Sequence, residues 1–286
     1  MNDLSNPISR IGEIGIVGEG EMILEVAPGQ RGLRVAALSD IHGNIQALNA
    51  VLEEVERDQP DRIVVCGDVA AGPFPGDTLE RLMELGERAY FVRGNADREL
   101  ISAYDSRLQF DPEEEDPARF ISSWSAQQIN QKQRNFLASF EDRVVLEMIG
   151  LGSVLFCHGS PGSDEEIITS LTPEDHLEKL LAGSEEKVVV CGHTHHQFDR
   201  KTDGYRVINA GSIGMPYEGR PGAFWALLGP DVQLRRTDYD YERAVQAALS
   251  AGYPDPSYRK TILTPPIPED VAAFFEKVAA ERGERS

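Results

Sequence analysis

The chain has 286 residues, 41% of them hydrophobic and 27% charged, with 48 acidic against 28 basic side chains and a formal net charge of -20. That much apolar residue in short runs supports a folded core and argues against a disordered chain, while no apolar run approaches the roughly 18 residues of a membrane span. The acidic balance is unsuited to holding extended nucleic acid, whose binding needs basic patches, so neither extended nucleic acid nor, without a spanning run, a membrane is an expected partner.

The length suits one large α/β domain with appendages. The opening sequence MNDLSNPISR has neither the basic nor the apolar region of a secretory signal, which makes the cytoplasm the expected location. Cys66, Cys157 and Cys191 each end an apolar run, which fits reduced, buried thiols better than a disulfide framework; thiolate ligation is the lesser alternative.

In chain order, residues 1 to 32 are glycine-spaced and acidic, and read as an N-terminal extension outside the core, with one alternating stretch, Met22 to Val26, able to form a short edge strand. From Leu33 a strand runs to Leu38, a turn follows at His42 to Asn44, and Ile45, Leu48, Leu52 and Val55 stand at helical spacing up to Asp58-Gln59-Pro60. A strand at Arg62 to Cys66, a Gly/Pro loop at 72 to 76, a helix near Thr78 to Gly86 and a strand at Ala89 to Val92 continue the alternation, which argues for a βαβ-type layered sheet.

The acidic segment 105 to 118 reads as a solvated loop. One helix is expected over Arg119 to Ser139, burying Phe120, Trp124, Phe136 and Leu137. Arg143 to Met148 and Ser153 to Cys157 surround a glycine turn as a hairpin, and strands at Lys187 to Cys191, Tyr205 to Ile208, Ala223 to Leu228 and Val232 to Arg236 complete a second set. Each half of the domain is thus expected to supply one sheet. The division is 1 to 32 as extension, 33 to 238 as catalytic domain and 239 to 286 as a helical appendage.

Five short segments end these apolar runs with ligand-type residues: SDIHGN at 39 to 44, GDV at 67 to 69, GNAD at 94 to 97, HGS at 158 to 160 and GHTH at 192 to 195. Asp40 and His42, two apart at a strand end, can turn towards the same side. Taken singly, each segment has an ordinary reading: Asp40 as a helix cap, Asn95 as a turn former, the histidines as satisfied structural residues. Five of the six histidines nevertheless lie in these segments or next to them, and His176, in TPEDHLEKL, is expected to be a solvated surface residue. Together, Asp40, His42, Asp68, Asn95, His158, His193 and His195 can hold two divalent cations, a charge pair that would invert the acidic field locally and attract a small phosphorylated substrate.

The five motifs, in this order, resemble the calcineurin-like metallophosphoesterase family over residues 33 to about 228, and within it the small bacterial phosphodiesterase branch. The resemblance implies a four-layer α/β fold, two central mixed sheets flanked by helices. It assigns Asp40, His42, Asp68 and His195 to one metal and Asp68, Asn95, His158 and His193 to the other, with Asp68 bridging. It also implies in-line hydrolysis of a phosphodiester or nucleotide-like phosphate ester by a metal-bound hydroxide. The cations would be Mn²⁺ before Fe, Zn²⁺ or Mg²⁺.

Many members of that family carry His where this chain has Ala96, and that His is the proposed acid for the leaving group. The departure favours phosphodiesters and good leaving groups. The alternatives are a phosphomonoester or protein phosphatase built on the same site, and a non-catalytic metal-binding scaffold. Asp97 is read as a cap or as an orienting carboxylate, and Arg98 as a phosphate contact or a surface residue. Gly211 and Ser212, in NAGSIGMPYEG, resemble the family's glycine-serine loop, whose backbone N–H groups would face an anion; the equal alternative is a tight turn packed under the sheets.

Overall fold

The computed structural model describes residues 14 to 16, 21 to 24 and 33 to 284. Strand β1 (Ile14–Ile16) pairs antiparallel with β2 (Glu21–Leu24), so the described part of the amino-terminal region is sheet; Val26, the end of the strand expected there, lies outside the described residues. After them come β3 (Val35–Leu38), α1 (Ile45–Asp58), β4 (Arg62–Cys66), α2 (Pro75–Met83), β5 (Ala89–Val92) and α3 (Asn95–Asp105), the expected strand and helix alternation. The cap of α1 is not Asp40 but Asn44, whose side chain accepts from the Ala47 N–H. Its inward face is Ala47, Leu48, Val51, Leu52 and Val55, the spacing of a one-sided helix.

The single helix expected over 119 to 139 is two, α4 (Pro117–Ala126) and α5 (Gln131–Leu137). Asn130 explains the break, because its side chain accepts from Gln133 N–H while the Gln133 side chain accepts from Asn130 N–H, a capping box that starts a new helix. The rest of the chain forms β6 (Arg143–Met148), β7 (Gly152–Phe156), α6 (Glu174–Leu181), β8 (Val188–Cys191), β9 (Phe198–Lys201), β10 (Arg206–Asn209), β11 (Ala223–Leu228), β12 (Val232–Thr237), α7 (Tyr241–Ser250), α8 (Tyr258–Leu263) and α9 (Pro268–Glu281).

Two mixed sheets result, one of five strands in the order β12-β11-β3-β4-β5 and one of seven in the order β1-β2-β6-β7-β8-β10-β9. The division does not follow the halves of the chain: β11 returns from the second half to pair antiparallel with β3, matching Ala226 with Ala37 and Leu228 with Val35. Its side chains explain why, since Ala226 and Leu228 join the core between the sheets while Trp225 and Leu227 join the core under α1, so β11 is apolar on both faces.

Period-two alternation sorts the apolar residues into layers. Val35, Ala37, Val64 and Cys66 meet Val144, Leu146, Phe156, Val190 and Ile208 between the sheets, while Ala36, Leu38, Ile63 and Val65 face the helices. On the far side, Val145, Leu155, Val189 and Val207 pack on Leu177 and Leu181 of α6. The layers are therefore helix, sheet, sheet, helix. Phe156 is fully buried at the centre, and truncating it to alanine would cost about 3 to 5 kcal/mol. His176, expected in solvent, is buried, because α6 lies along the sheet and the turn beginning at His176 and Leu177 faces inward.

Candidate metal centre

All seven expected ligands stand at the ends of strands or in the turns just beyond them. Asp40 and His42 follow β3, Asp68 follows β4, Asn95 opens α3 after β5, His158 follows β7, and His193 and His195 follow β8. Sheet pairing alone sets β3, β4 and β5 side by side and β7 beside β8. Asp40 and His42 do not converge through strand alternation, however. Both have left-handed backbones, with φ of 53° and 45°, as do Asp68, His193 and His195. Of the seven non-glycine residues with positive φ among the described residues, five are expected ligands. Such conformations cost on the order of 1 to 3 kcal/mol each and persist where surrounding structure imposes them.

The surrounding structure is visible as a set of stitches between the turns. The N–H groups of Asp40, His42 and Gly43 donate to the carbonyls of Gly67, Asp68 and Val69, at 3.1, 2.9 and 2.9 Å. Asp97, fully buried, accepts from the N–H groups of Asp68, Val69 and Gly94 at 2.9, 2.9 and 3.0 Å. It thus caps α3 and fixes the Asp68 loop with the same two oxygens. Gly94 admits Asp68, since a Cβ there would lie 2.2 Å from its Oδ1, and Gly192 admits Asp40 in the same way, at 2.5 Å from Oδ2. On the other side Asn209 Nδ2 donates to the Gly192 carbonyl at 2.6 Å and to Thr194 Oγ1 at 3.0 Å, bracing the GHTH turn.

The ligand atoms form two trios, Asp40 with His42 and His195, and Asp68 with His158 and His193, each within 4.8 Å. Backbone carbonyls set the tautomers. Nδ1 of His42 faces Ala71 O at 3.2 Å, that of His195 faces Met215 O at 2.9 Å, and that of His158 faces Cys66 O at 2.7 Å. A carbonyl only accepts, so each Nδ1 carries a proton; Nε2 of His42 and His195 is then left with a lone pair, and Nε2 of His158, beside Asp68, would present one where a cation replaced its proton. Nε2 of His42 and Nε2 of His195 then lie 3.2 Å apart, two acceptors facing each other. The buried Asp40 Oδ1, 3.1 Å from His195 Nε2, has no hydrogen-bond partner among the described residues. Asn95 Oδ1 stands 3.1 Å from His158 Nε2. Facing lone pairs and an orphaned carboxylate oxygen in a buried pocket fit a cation, and the donor set of imidazole and hard oxygen suits Mn²⁺, Fe or Zn²⁺.

Asp68, a member of the second trio, also approaches the first, with Oδ2 3.3 Å from His158 Nε2 and 3.8 Å from His42 Nε2. Burial works against every charge here. It would push His158 down, but the Asp68 carboxylate overrides it and holds that imidazole well above its ordinary value, while His158 in turn holds Asp68 low against the same burial. Burial and the neighbouring His158 push His193 down to about 4. Burial and the proximity of His195 also lower His42, and burial together with the charge of Asp68 raises Asp97. Four imidazoles, three of them fixed at Nδ1 by carbonyls, thus surround two carboxylates.

Three expected contacts fall elsewhere. Arg98 is already clamped by Asp164, at 2.9 Å, and by Glu165. Ser212 is fully buried with its hydroxyl donating to the Asp40 carbonyl at 2.8 Å, and the Ile213 and Gly214 N–H groups donate to Ser39 and Asp40 carbonyls. Gly211 N–H donates to Asn209 Oδ1. The loop therefore braces the Asp40 turn, and these N–H groups are spent within the protein. At the position of the missing acid, Ala96 offers only its N–H, which donates to Asp68 Oδ1 at 2.8 Å.

Two aromatic residues absent from the motif pattern also border the centre: Tyr217 stacks on His195 at 4.8 Å between ring centroids, and Phe275 of α9 lies 6.5 Å from His193. Nothing local in the sequence marks Phe275, which reaches the site from 82 residues beyond His193 in the chain.

Comparison with known proteins agrees with this geometry. Phosphodiesterase YfcE of Escherichia coli is 27% identical over 212 residues, covering 70% of this chain and 89% of that protein. The crystal structure of a metallophosphoesterase from Sphaerobacter thermophilus is 25% identical, with a TM-score of 0.61, and covers 86% of this chain and 99% of its own. That of hypothetical protein PH1004 from Pyrococcus horikoshii, 20% identical, shares the fold with a TM-score of 0.69 over 82% of this chain and 99% of its own. The calcineurin-like phosphoesterase superfamily domain matches residues 33–228, the span that carries all five motifs, and the chain belongs to that superfamily.

Proposed function

We propose that this protein hydrolyses a small phosphodiester or nucleotide-like phosphate ester, in the cytoplasm, with two divalent cations of which Mn²⁺ is the first candidate. The observation that carries the reading is Asp68, which belongs to the second trio of ligand atoms yet has Oδ2 within 4 Å of an imidazole in each. Asp40, His42, Asp68 and His195 would hold one cation; Asp68, Asn95, His158 and His193 would hold the other. Two such cations, when bound, neutralise phosphoryl oxygens and lower the pKa of the attacking water.

The chain's own residues do the rest. Carbonyls of Ala71, Cys66 and Met215 keep Nδ1 protonated so that Nε2 of His42, His158 and His195 points inward. Asp97 keeps Asp68 and Asn95 in register through three backbone N–H groups. Ala96 places a methyl group where a proton donor would stand, so departure of the leaving group goes without side-chain acid from that position, which favours good leaving groups. The similarity to a phosphodiesterase supports the diester over the monoester.

The test is metal-stripped protein reloaded with Mn²⁺ and assayed on bis(p-nitrophenyl) phosphate and p-nitrophenyl phosphate. Faster turnover of the diester is expected. Preference for the monoester would move the reading to a phosphatase, and no turnover at two metals per chain would move it to a scaffold.

A further inference from the structure

The family match ends at residue 228, yet the edge of the metal centre is finished by α9, forty residues later. The helix is held there along its whole length. Gly219 N–H donates to the Pro266 carbonyl at 2.8 Å just before it, and Val271, Ala272 and Ala279 are buried beneath it. The Glu276 carboxylate accepts from the hydroxyls of Thr169 and Thr172 at 2.7 and 2.6 Å, and the Glu284 carboxylate accepts from Ile167 N–H at 3.4 Å. That same segment receives Thr194 of the GHTH turn, whose hydroxyl donates to the Ile168 carbonyl at 3.1 Å. Helix and ligand turn are thus fastened to one piece of backbone, and Phe275, next to Glu276, is set beside His193.

The ring of Phe275 is half-buried and has no parallel stacking partner among the described residues. It meets His193 tilted by 42° and Phe274 edge-on. Tyr217, at the other trio, already has one face occupied by His195, inclined by only 26°. His193 itself is the more exposed of the second trio, so the substrate side of the centre adjoins Phe275. Cationic alternatives nearby are committed: Arg98 to Asp164 and Glu165, Arg93 to Asp142. In a chain of net charge -20, the part of the substrate that is not the reacting phosphate meets an aromatic ring rather than free positive charge.

We infer that Phe275 of the carboxy-terminal helix is a specificity residue that stacks on the nucleobase of a nucleoside-bearing phosphodiester held at the metal centre. The inference rests on the phosphoesterase reading and narrows its substrate class. Base-on-aromatic stacking is worth about 1 to 3 kcal/mol, and every base offers a face, so the contact selects nucleosides over simple alkyl esters without reading sequence.

The experiment compares two esters with the same leaving group, thymidine 5′-(p-nitrophenyl phosphate) and methyl p-nitrophenyl phosphate, on the full-length Mn²⁺-loaded protein. Phe275→Ala and Phe275→Leu should raise KM for the thymidine ester on the order of tenfold more than for the methyl ester, with the change in KM rather than kcat, and Phe275→Tyr should restore it. Equal losses on both esters, or no rescue by tyrosine, would overturn the inference. If wild-type protein turns over neither ester, the phosphoesterase reading falls by itself. Calorimetric titration with thymidine 5′-monophosphate and with inorganic phosphate then decides the stacking: Phe275→Ala should weaken the nucleotide about tenfold more than phosphate, and parallel weakening would sink it.

Discussion

The two halves of the centre are built from the same materials and held differently. In the first, both imidazoles, His42 and His195, have Nδ1 fixed by a carbonyl, Asp40 lies fully buried behind them, and Tyr217 closes one side. In the second, only His158 is fixed in that way; His193 is partly exposed, its backbone N–H tied to Asp40 Oδ2 at 3.0 Å, and Asp68 depends on Asp97 for its position. The first half is the more fully braced by carbonyls, and the second has its exposure at His193.

Asp68→Asn should break both halves at once. The metal content measured by elemental analysis is expected to fall from two per chain to one or fewer. Diester turnover should fall by more than about 100-fold, beyond what loss of an outer-shell partner costs. Retention of two metals would mean that Asp68 does not bridge. Ala96→His, beside Asp68, should raise turnover of an alkyl ester with a poor leaving group by roughly 10²-fold and leave the p-nitrophenyl ester nearly unchanged. A gain that ignores leaving-group pKa would assign the effect to something other than proton donation.

Asp97→Asn tests the contrast itself. The carboxylate holds the N–H groups of Asp68, Val69 and Gly94, and an amide can accept through only one of its two positions. Mn²⁺ titration should show one step weakened by roughly 10 to 100-fold and the other much less. Equal weakening of both steps would argue against two halves of different stiffness.

The smallest effect is expected at Glu218, whose carboxylate accepts from Gln197 N–H beside the first half and is pushed by burial from an ordinary 4.5 up to about 7. Because the folded state holds this proton more tightly than the unfolded chain, its stabilising contribution is complete below pH 4.5 and is lost as the pH rises to about 7. Glu218→Gln keeps an acceptor without the titration. Over that window wild type should lose about 1 to 3 kcal/mol relative to the variant, read as the difference in denaturant midpoints. Parallel pH profiles for the two proteins would contradict it.

The alternation of strand and helix over residues 33 to 105 was legible because each element buries one face at its own period, as the Leu48, Leu52 and Val55 stripe of α1 shows. The candidate ligand set was legible because Asp, Asn and His stand at the ends of apolar runs, where a strand must stop and a side chain can turn out of the sheet; the structure brings six of the seven into two trios. His176 was misplaced because helical spacing does not say which face of a short helix meets the sheet. The break between α4 and α5 was missed because Asn130 and Gln133 look like ordinary surface residues until they cap each other. The assignment of β11 to the sheet of β3 needed knowledge of both of its faces, and composition reports only that all its residues are apolar.

The sequence by itself determined which residues could bind metal and the order in which they arrive, since donor chemistry and strand-end position are local properties. Tertiary structure alone decided how they converge. Left-handed turns at Asp40, His42, Asp68, His193 and His195 are imposed by backbone hydrogen bonds between strands far apart in the chain. It also turned the Gly211 to Gly214 loop into a brace, by spending its N–H groups on the Ser39 and Asp40 carbonyls. And it carried Phe275 to the edge of the site, because a helix docks where its apolar side and the Glu276 carboxylate find partners, which no spacing along the chain encodes.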